Sequence, residues 1–382
     1  AIAGHSLGSV SGEVHLEADE YRFESVELIN PDFELSGSAW LDRFSPAERF
    51  GIQTQVTGFP SEILFDLLQT EPYLSALVSG QLAIARDESG ELTGNGTLQV
   101  ADLEAPELPE ETVNGVSTRF ELVNGTLRLQ DTVLFSPAGE LHGFLDYTFE
   151  SGTFSTSFEG KVLALDQLQL LASVPLTGNL ELSVHGKGST DKPEISVTAA
   201  SEVLEIADYS LQNFQLSCVP EAGITRFNIG GAFLDQPFEL TGTVEPVTPF
   251  PFKAQLLLSS TPVSPYLKLF MEEVPEIEAF LTGKIEAEGM LTEFSDLQVT
   301  GDLQELRLIL RDYELRTAEP ITITYNDKSL KIPSTRFTGE ESDFTLRGRL
   351  DLEGQKSVNL KVIGTSNLRL LNAALEDGSV EG

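Results

Sequence analysis

The sequence predicts a mainly β fold, an elongated, curled antiparallel sheet (a taco-like groove) of repeats of about a hundred residues with short helices between them. Three observations carry this. One phrase recurs four times, as FELSGSAWL from Phe33, GELHGFLDY from Gly139, FELTGTVEP from Phe238 and FTLRGRLDL from Phe344. A second phrase, LVSGQLAI, PLTGNLEL and FLTGKIEA, keeps the same period in a different phase. Between the two, apolar and polar residues alternate with period two, which gives a strand one apolar and one polar face.

The first phrase centres on Gly37, Gly143, Gly242 and Gly348, and the second on Gly80, Gly178 and Gly283. Together they divide the chain into a partial repeat at 1–59, full repeats at 60–160, 161–260 and 261–364, and the start of another at 365–382. Each repeat opens with helix-start signals. Ser61 precedes EILFDLLQ, Asp166 precedes QLQLLA, Ser264-Pro265 opens YLKLFM and Ser366 precedes NLRLLNAAL. Small polar caps and a proline in the first turn have that meaning. Alternating runs follow, among them NLELSV, RFNIG, LRLIL and ITITY. Asn95-Gly96, Asn114-Gly115 and Asn124-Gly125 supply hairpin signals, and HGKGST at His185–Thr190 reads as another turn.

Each marker glycine shares parity with the apolar residues around it, as in Phe238, Leu240, Gly242 or Gly178, Leu180, Leu182. A glycine inside a strand marks a bend or a close approach of another backbone. Placed on the apolar face at fixed intervals, it suits a sheet that curls about that face. About eighteen to twenty strands would result, too many to lie flat, and they would leave an apolar trough.

Composition narrows the function. The net charge of −36 argues against nucleic acid and anionic membrane surfaces. Forty per cent apolar residues mark a folded chain. A single cysteine, Cys218 on the apolar parity of its strand, excludes a disulfide framework and a cysteine-based metal site. No run of residues is long and apolar enough to cross a bilayer. The N-terminus carries no signal-peptide pattern, and the chain reads as a segment whose targeting and anchoring elements lie outside it.

Catalytic motifs are weak. GHSLG at Gly4–Gly8 fits the nucleophile-elbow pattern around Ser6, but an alternating strand follows where a helix is required. His5, His15, His142 and His185 show no metal-binding spacing, and the last two fall on polar parity. HGKGST lacks the first glycine of a phosphate loop. Asp and Glu total 60 and are scattered, with one tryptophan, so no glycosidase cleft is indicated. We therefore expect no enzyme, no catalytic residue, no metal and no cofactor. The segments SEILFDLLQ and SPYLKLFMEE carry acidic polar faces and read as helices flanking a groove, since interfacial helices are typically basic.

The order of parts resembles the β-groove repeats of the TamB and AsmA-like group of bacterial envelope proteins. The likeness lies in PLTGNLEL and FLTGKIEA after the helix signals, in HGKGSTDKPEISVTAA followed by LEIADYSLQNFQL, in EAEGMLTEFSDLQVTGDLQEL, and in the closing FELTG-type strand. The first repeat departs from it, since RDESGELTGNGTLQV lacks the Gly-x-Gly-then-Pro order. The resemblance implies a periplasmic groove between inner and outer membrane, anchored at the inner one, that carries phospholipids. It also implies a link to the assembly of outer-membrane β-barrel proteins and an outer-membrane β-barrel partner.

The expected activity is non-enzymatic phospholipid transport along the groove. The candidate lining is Phe227, Ile229, Phe238, Leu240, Leu256, Leu258, Leu306, Leu308, Ile321 and Ile323. One alternative is a scaffold that pairs its strand edges with unfolded outer-membrane substrates. A second is a structural spacer with a closed β core.

Overall fold

The structure is a computed structural model. It describes residues 8–17, 19–42, 49–63, 74–104, 113–167, 176–206, 209–233, 235–263, 277–310, 313–326, 329–351 and 357–365. The protein is mainly β and antiparallel, and divides into two compact units, Ala1–Asp208 and Tyr209–Gly382.

The first unit holds β1 (Ser9–Leu16), β2 (Glu20–Ile29), β3 (Glu34–Asp42), β4 (Phe50–Pro60), β5 (Ser75–Arg86) and β6 (Leu92–Glu104). It continues with β7 (Gly115–Val123), β8 (Thr126–Ser136), β9 (Gly139–Thr148), β10 (Thr153–Ala164), β11 (Leu176–Ser189) and β12 (Lys192–Ile206). Each strand pairs with its chain neighbours, so the unit is an unbroken meander.

The second unit holds β13 (Tyr209–Glu221), β14 (Ile224–Phe233), β15 (Gln236–Val244), β16 (Pro251–Pro262), β17 (Ile277–Met290) and β18 (Glu293–Leu310). Then come β19 (Tyr313–Thr317), β20 (Ile321–Asn326), β21 (Ser329–Gly339), β22 (Ser342–Asp351) and β23 (Ser357–Thr365). β19 and β20 both pair with β18 on one side and β21 on the other. They act as one strand interrupted at Ala318-Glu319-Pro320, where proline lacks the N–H a ladder needs. β5, β11 and β17, which carry the second marker phrase, recur at every sixth strand.

Bulges recur on alternate strands of the first unit. Register slips place an extra residue on β2 at Ser25, on β4 at Gly58 and on β8 at Asp131. Ser25 and Asp131 hold positive φ, 48° and 49°. The second unit repeats this at Asn213 on β13 and Ser260 on β16, with a further slip between Ile332 and Thr335 on β21. A bulge bends its strand and increases local twist. The marker glycines lie beside these slips: Gly37 opposes Val26, Gly143 opposes Thr132, Gly283 opposes Leu258 and Gly348 opposes Ile332. A Cβ on Gly143 would overlap the carbonyl oxygen of Ser157 on the next strand. Gly80, at φ 153°, meets the Thr97 carbonyl in the same way. Bulge and glycine together are how a sheet is curved.

Several local expectations change. Asn124-Gly125 forms the β7–β8 turn, with φ 51° and 65°. Asn95-Gly96 instead lies inside β6, paired with β5 and β7, and a Cβ on Gly96 would overlap the Phe120 ring. Asn114-Gly115 leads into β7, with Asn114 N–H donating to the Phe135 carbonyl at 2.9 Å. His185–Ser189 belongs to β11, and the turn falls at Thr190-Asp191. Of the helical segments, only Ser61–Ile63 and the 3-10 turn Leu165–Gln167 are described; the remaining stretches at 64–73, 168–175, 264–276 and 366–382 lie outside the described residues. The Ser61 hydroxyl accepts from Ala76 N–H at 3.0 Å and donates to Leu74 O at 3.3 Å, which ties it to the start of β5.

Candidate functional site: the apolar face and the polar face behind it

Residues directly opposite in an antiparallel ladder project to one side, so register defines the faces. In the second unit Ile229 opposes Leu240, Leu240 opposes Leu256, Leu256 opposes Ile285, Ile285 opposes Gly301 and Gly301 opposes Ile323. Three of the remaining candidates join the same face by register. Phe238 pairs with Gly231, Leu258 with Gly283, and Ile321 with Leu303. Leu306 opposes Leu281, Leu308 opposes both Ala279 and Leu315, and Phe227 opposes Gly242 and Cys218. All ten candidates thus share one face.

Burial splits this face in two. Phe227, Ile229, Phe238, Leu240, Leu256 and Leu258 are half-buried, as are Leu306, Leu308 and Ile323. Ile321 is buried and belongs to a closed cluster with Leu303, Tyr313, Leu315 and Phe337. Phe337 is 2% exposed and stacks on Phe344 at 5.5 Å. The Tyr313 hydroxyl is 2.7 Å from Ser342 Oγ and donates to the Glu340 carbonyl, so its polar end is satisfied. This cluster lies where β19 breaks into β20 and where β18 and β21 carry bulges. Cys218 is half-buried beside Phe227, and burial pushes its thiol pKa up, so it is held as a thiol.

The first unit carries an equivalent face that the candidate set omitted, although its alternation is as plain. Ile52 opposes Ile84, Ile84 opposes Gly94, Gly94 opposes Leu122 and Leu122 opposes Leu127. On it the buried hydroxyls of Thr118 and Thr132 lie 2.8 Å apart and satisfy each other. Phe33, 4% exposed, meets Phe59 edge-on at 4.9 Å.

The cavities outlined by described residues open on the other, polar face. One of about 770 Å³ crosses β13–β18 and is lined by Arg226, Lys253, Glu286 and Glu288 among threonines and amides. Lys253 lies 3.5 Å from Glu288. Two more lie on the first unit, one of about 390 Å³ over β3–β7 with Glu121 in its lining, and one of about 500 Å³ over β3–β6.

Histidine chemistry is dispersed. His142 lies 3.2 Å from Glu140, and His15 lies 3.6 Å from Glu13. His185 bridges two hydroxyls, with Nδ1 2.9 Å from Ser157 Oγ and Nε2 3.1 Å from Ser183 Oγ. A nucleophile pair of this kind needs a third group to orient the imidazole, and both its nitrogens are occupied by serines. Ser6 and His5 of GHSLG lie outside the described residues. Among the described residues no group of three or more metal-ligating side chains converges, and no helix is long and apolar enough to cross a membrane. Comparison with protein families, curated proteins and solved structures finds no match.

Proposed function

We propose that the chain is a non-enzymatic carrier of phospholipid acyl chains along its apolar face. The observation that supports this is the partial exposure of nine of the ten in-register candidate residues, from Phe227 to Ile323. Apolar side chains that a second sheet covered would be fully removed from water. Covering them with an acyl chain instead gains roughly 25 cal/mol per Å² of apolar surface. The mechanism needs no catalytic side chain. Rows of leucine, isoleucine and phenylalanine offer many equivalent seats, so a chain can shift from one to the next. The acidic outer surface keeps the protein in solution. The resemblance to TamB-type repeats supplies the setting we propose, the periplasm, with inner-membrane anchoring and an outer-membrane partner reached through flanking regions.

Native mass spectrometry of the purified chain, followed by solvent extraction, tests this. Retained phospholipid that is lost in Leu256→Asp is the expected result. A lipid-free chain whose thermal transition ignores added phospholipid overturns it and favours a closed spacer.

A second reading, a strand-pairing scaffold, is favoured by β1. All eight of its residues are exposed, including Val10, Val14 and Leu16, and among the described residues it pairs with β2 alone. Such an edge is a template for another strand. Crosslinking of an unfolded β-barrel peptide to a photoreactive residue at Val14, with no lipid retained, would favour this reading.

A further inference from the structure

The polar face of β3–β6 is unlike the rest of the surface. Elsewhere charges break up adjoining rows of the polar face, as Arg226, Lys253 and Glu288 do beside the uncharged row of Ser217, Asn228, Thr241 and Gln255. Across β3–β6 the outward positions of three adjoining rows carry no charge. Ser36, Gln55, Gln81 and Thr97 form one row in register. Ser38, Gln53, Ala83 and Asn95 form the next. Trp40, Gly51, Ala85 and Thr93 form the third. Charges resume at the border, with Arg119 and Glu121 on β7 and Arg22 beside Trp40. In a chain of net charge −36, a neutral field of this width is an exception.

The field is hollow and chemically equipped. Two cavities outlined by described residues, about 390 and 500 Å³, open on it, the smaller reaching Glu121 at its border. Its sole tryptophan lies over Gly51, where a Cβ would overlap the indole nitrogen. That packing alone is a familiar way to cover a strand glycine, but it explains neither the missing charges nor the hollow. The side-chain amides of Gln53, Gln55, Gln81 and Asn95 are exposed and engage no partner among the described residues. Beside the indole, the buried Nε of Arg49 has no hydrogen-bond partner among the described residues, while its Nη1 reaches Glu88 at 3.1 Å and Asp42 at 3.7 Å. A buried donor without an acceptor costs free energy that a ligand oxygen would restore.

We propose that this face binds a neutral oligosaccharide. A pyranose ring has an apolar C–H face that lies on an indole, and hydroxyls that exchange hydrogen bonds with planar amides. The four strands span about 14 Å, the length of a short oligosaccharide. A charged glycan finds no compensating row here, and a peptide strand would need a free sheet edge that these interior strands lack. The site is independent of the lipid proposal, since it lies on the opposite face.

Trp40 is the chain's single tryptophan, so its emission reports on this site alone. Titration of the full chain with the tetramers of N-acetylglucosamine and of glucose should give a saturable emission change with at least one of them. The double substitution Gln53→Ala, Gln55→Ala, both exposed and outside the apolar core, should weaken it at least tenfold without moving the thermal transition. Calorimetry on Trp40→Ala should show the same loss. No saturable change with either sugar up to millimolar concentration overturns the proposal. So does a change that survives the double substitution, or one obtained only with a sulfated oligosaccharide.

Discussion

Two regions of one face in the second unit behave differently. From β14 to β16, Phe227, Leu240 and Leu256 sit in cross-strand rows and stay half-buried. From β18 to β22 the same alternation gives Leu303, Leu315 and Phe337, which are nearly sealed. Composition does not separate the two. Both regions carry bulges, on β16 in the first and on β18 and β21 in the second, but only the second holds the Ala318–Pro320 break between β19 and β20. The half-buried rows keep apolar surface in contact with water, whereas the residues of the second region are removed from it.

Substitutions test that division. Phe337→Ala should cost about 3–5 kcal/mol, as for other buried phenylalanines, measured by urea denaturation. Phe238→Ala in the half-buried rows should cost less than half as much. Equal costs would mean that both regions are closed core. Gly242→Val should cost about 1–3 kcal/mol, because its Cβ would overlap the Lys253 carbonyl and the Phe227 ring. Gly230→Val, whose Cβ has only the Phe238 carbonyl at 3.9 Å, is the control and should change little. Leu256→Asp should destabilise by about 1 kcal/mol while removing bound lipid. Leu308→Asp is the less discriminating probe, since Leu308 abuts the buried Leu315 and Ala279.

The smallest effect lies outside the sealed cluster. The Asp343 carboxyl is held below its ordinary range chiefly by the hydrogen bond from Arg336 Nε at 2.9 Å. A depressed folded-state pKa adds stability above the unfolded pKa, and that contribution fades as pH falls through the folded value. The pair is exposed, so Asp343→Asn should leave the thermal midpoint at pH 7 almost unchanged. A chemical-shift titration should still show Asp343 titrating low in the wild type and normally in Arg336→Ala.

The strands were legible because alternation is local. The marker phrases were legible because they repeat. The bulges were harder to read, since Ser25, Asp131 and Asn213 are ordinary polar residues whose positive φ is imposed by the neighbouring strand's register. Their trace is a skipped beat in the alternation, as in Leu129-Gln-Asp-Thr-Val133. Asn95-Gly96 had the composition of a turn, but both residues pair with β5 on one side and β7 on the other. The candidate lining was legible as a face, because parity fixes it. Its division into open and sealed parts was not, because that depends on bends contributed by three strands. The neutral field around Trp40 was also hidden, for its twelve positions are dispersed from residue 36 to residue 97.

The six-strand interval from one marker strand to the next has a consequence for how such a chain can change in length. Six is even, so removing or adding one complete set returns the backbone travelling in the same direction with the same side facing the same way. Loss of three or five strands would reverse the polypeptide and set a leucine row where a glutamate row belongs. Whole-repeat duplication is therefore a change the architecture tolerates, and excising 75–175 should leave a folded chain, whereas excising β5 alone should not. Variation in reach, on this view, is inherited in quanta.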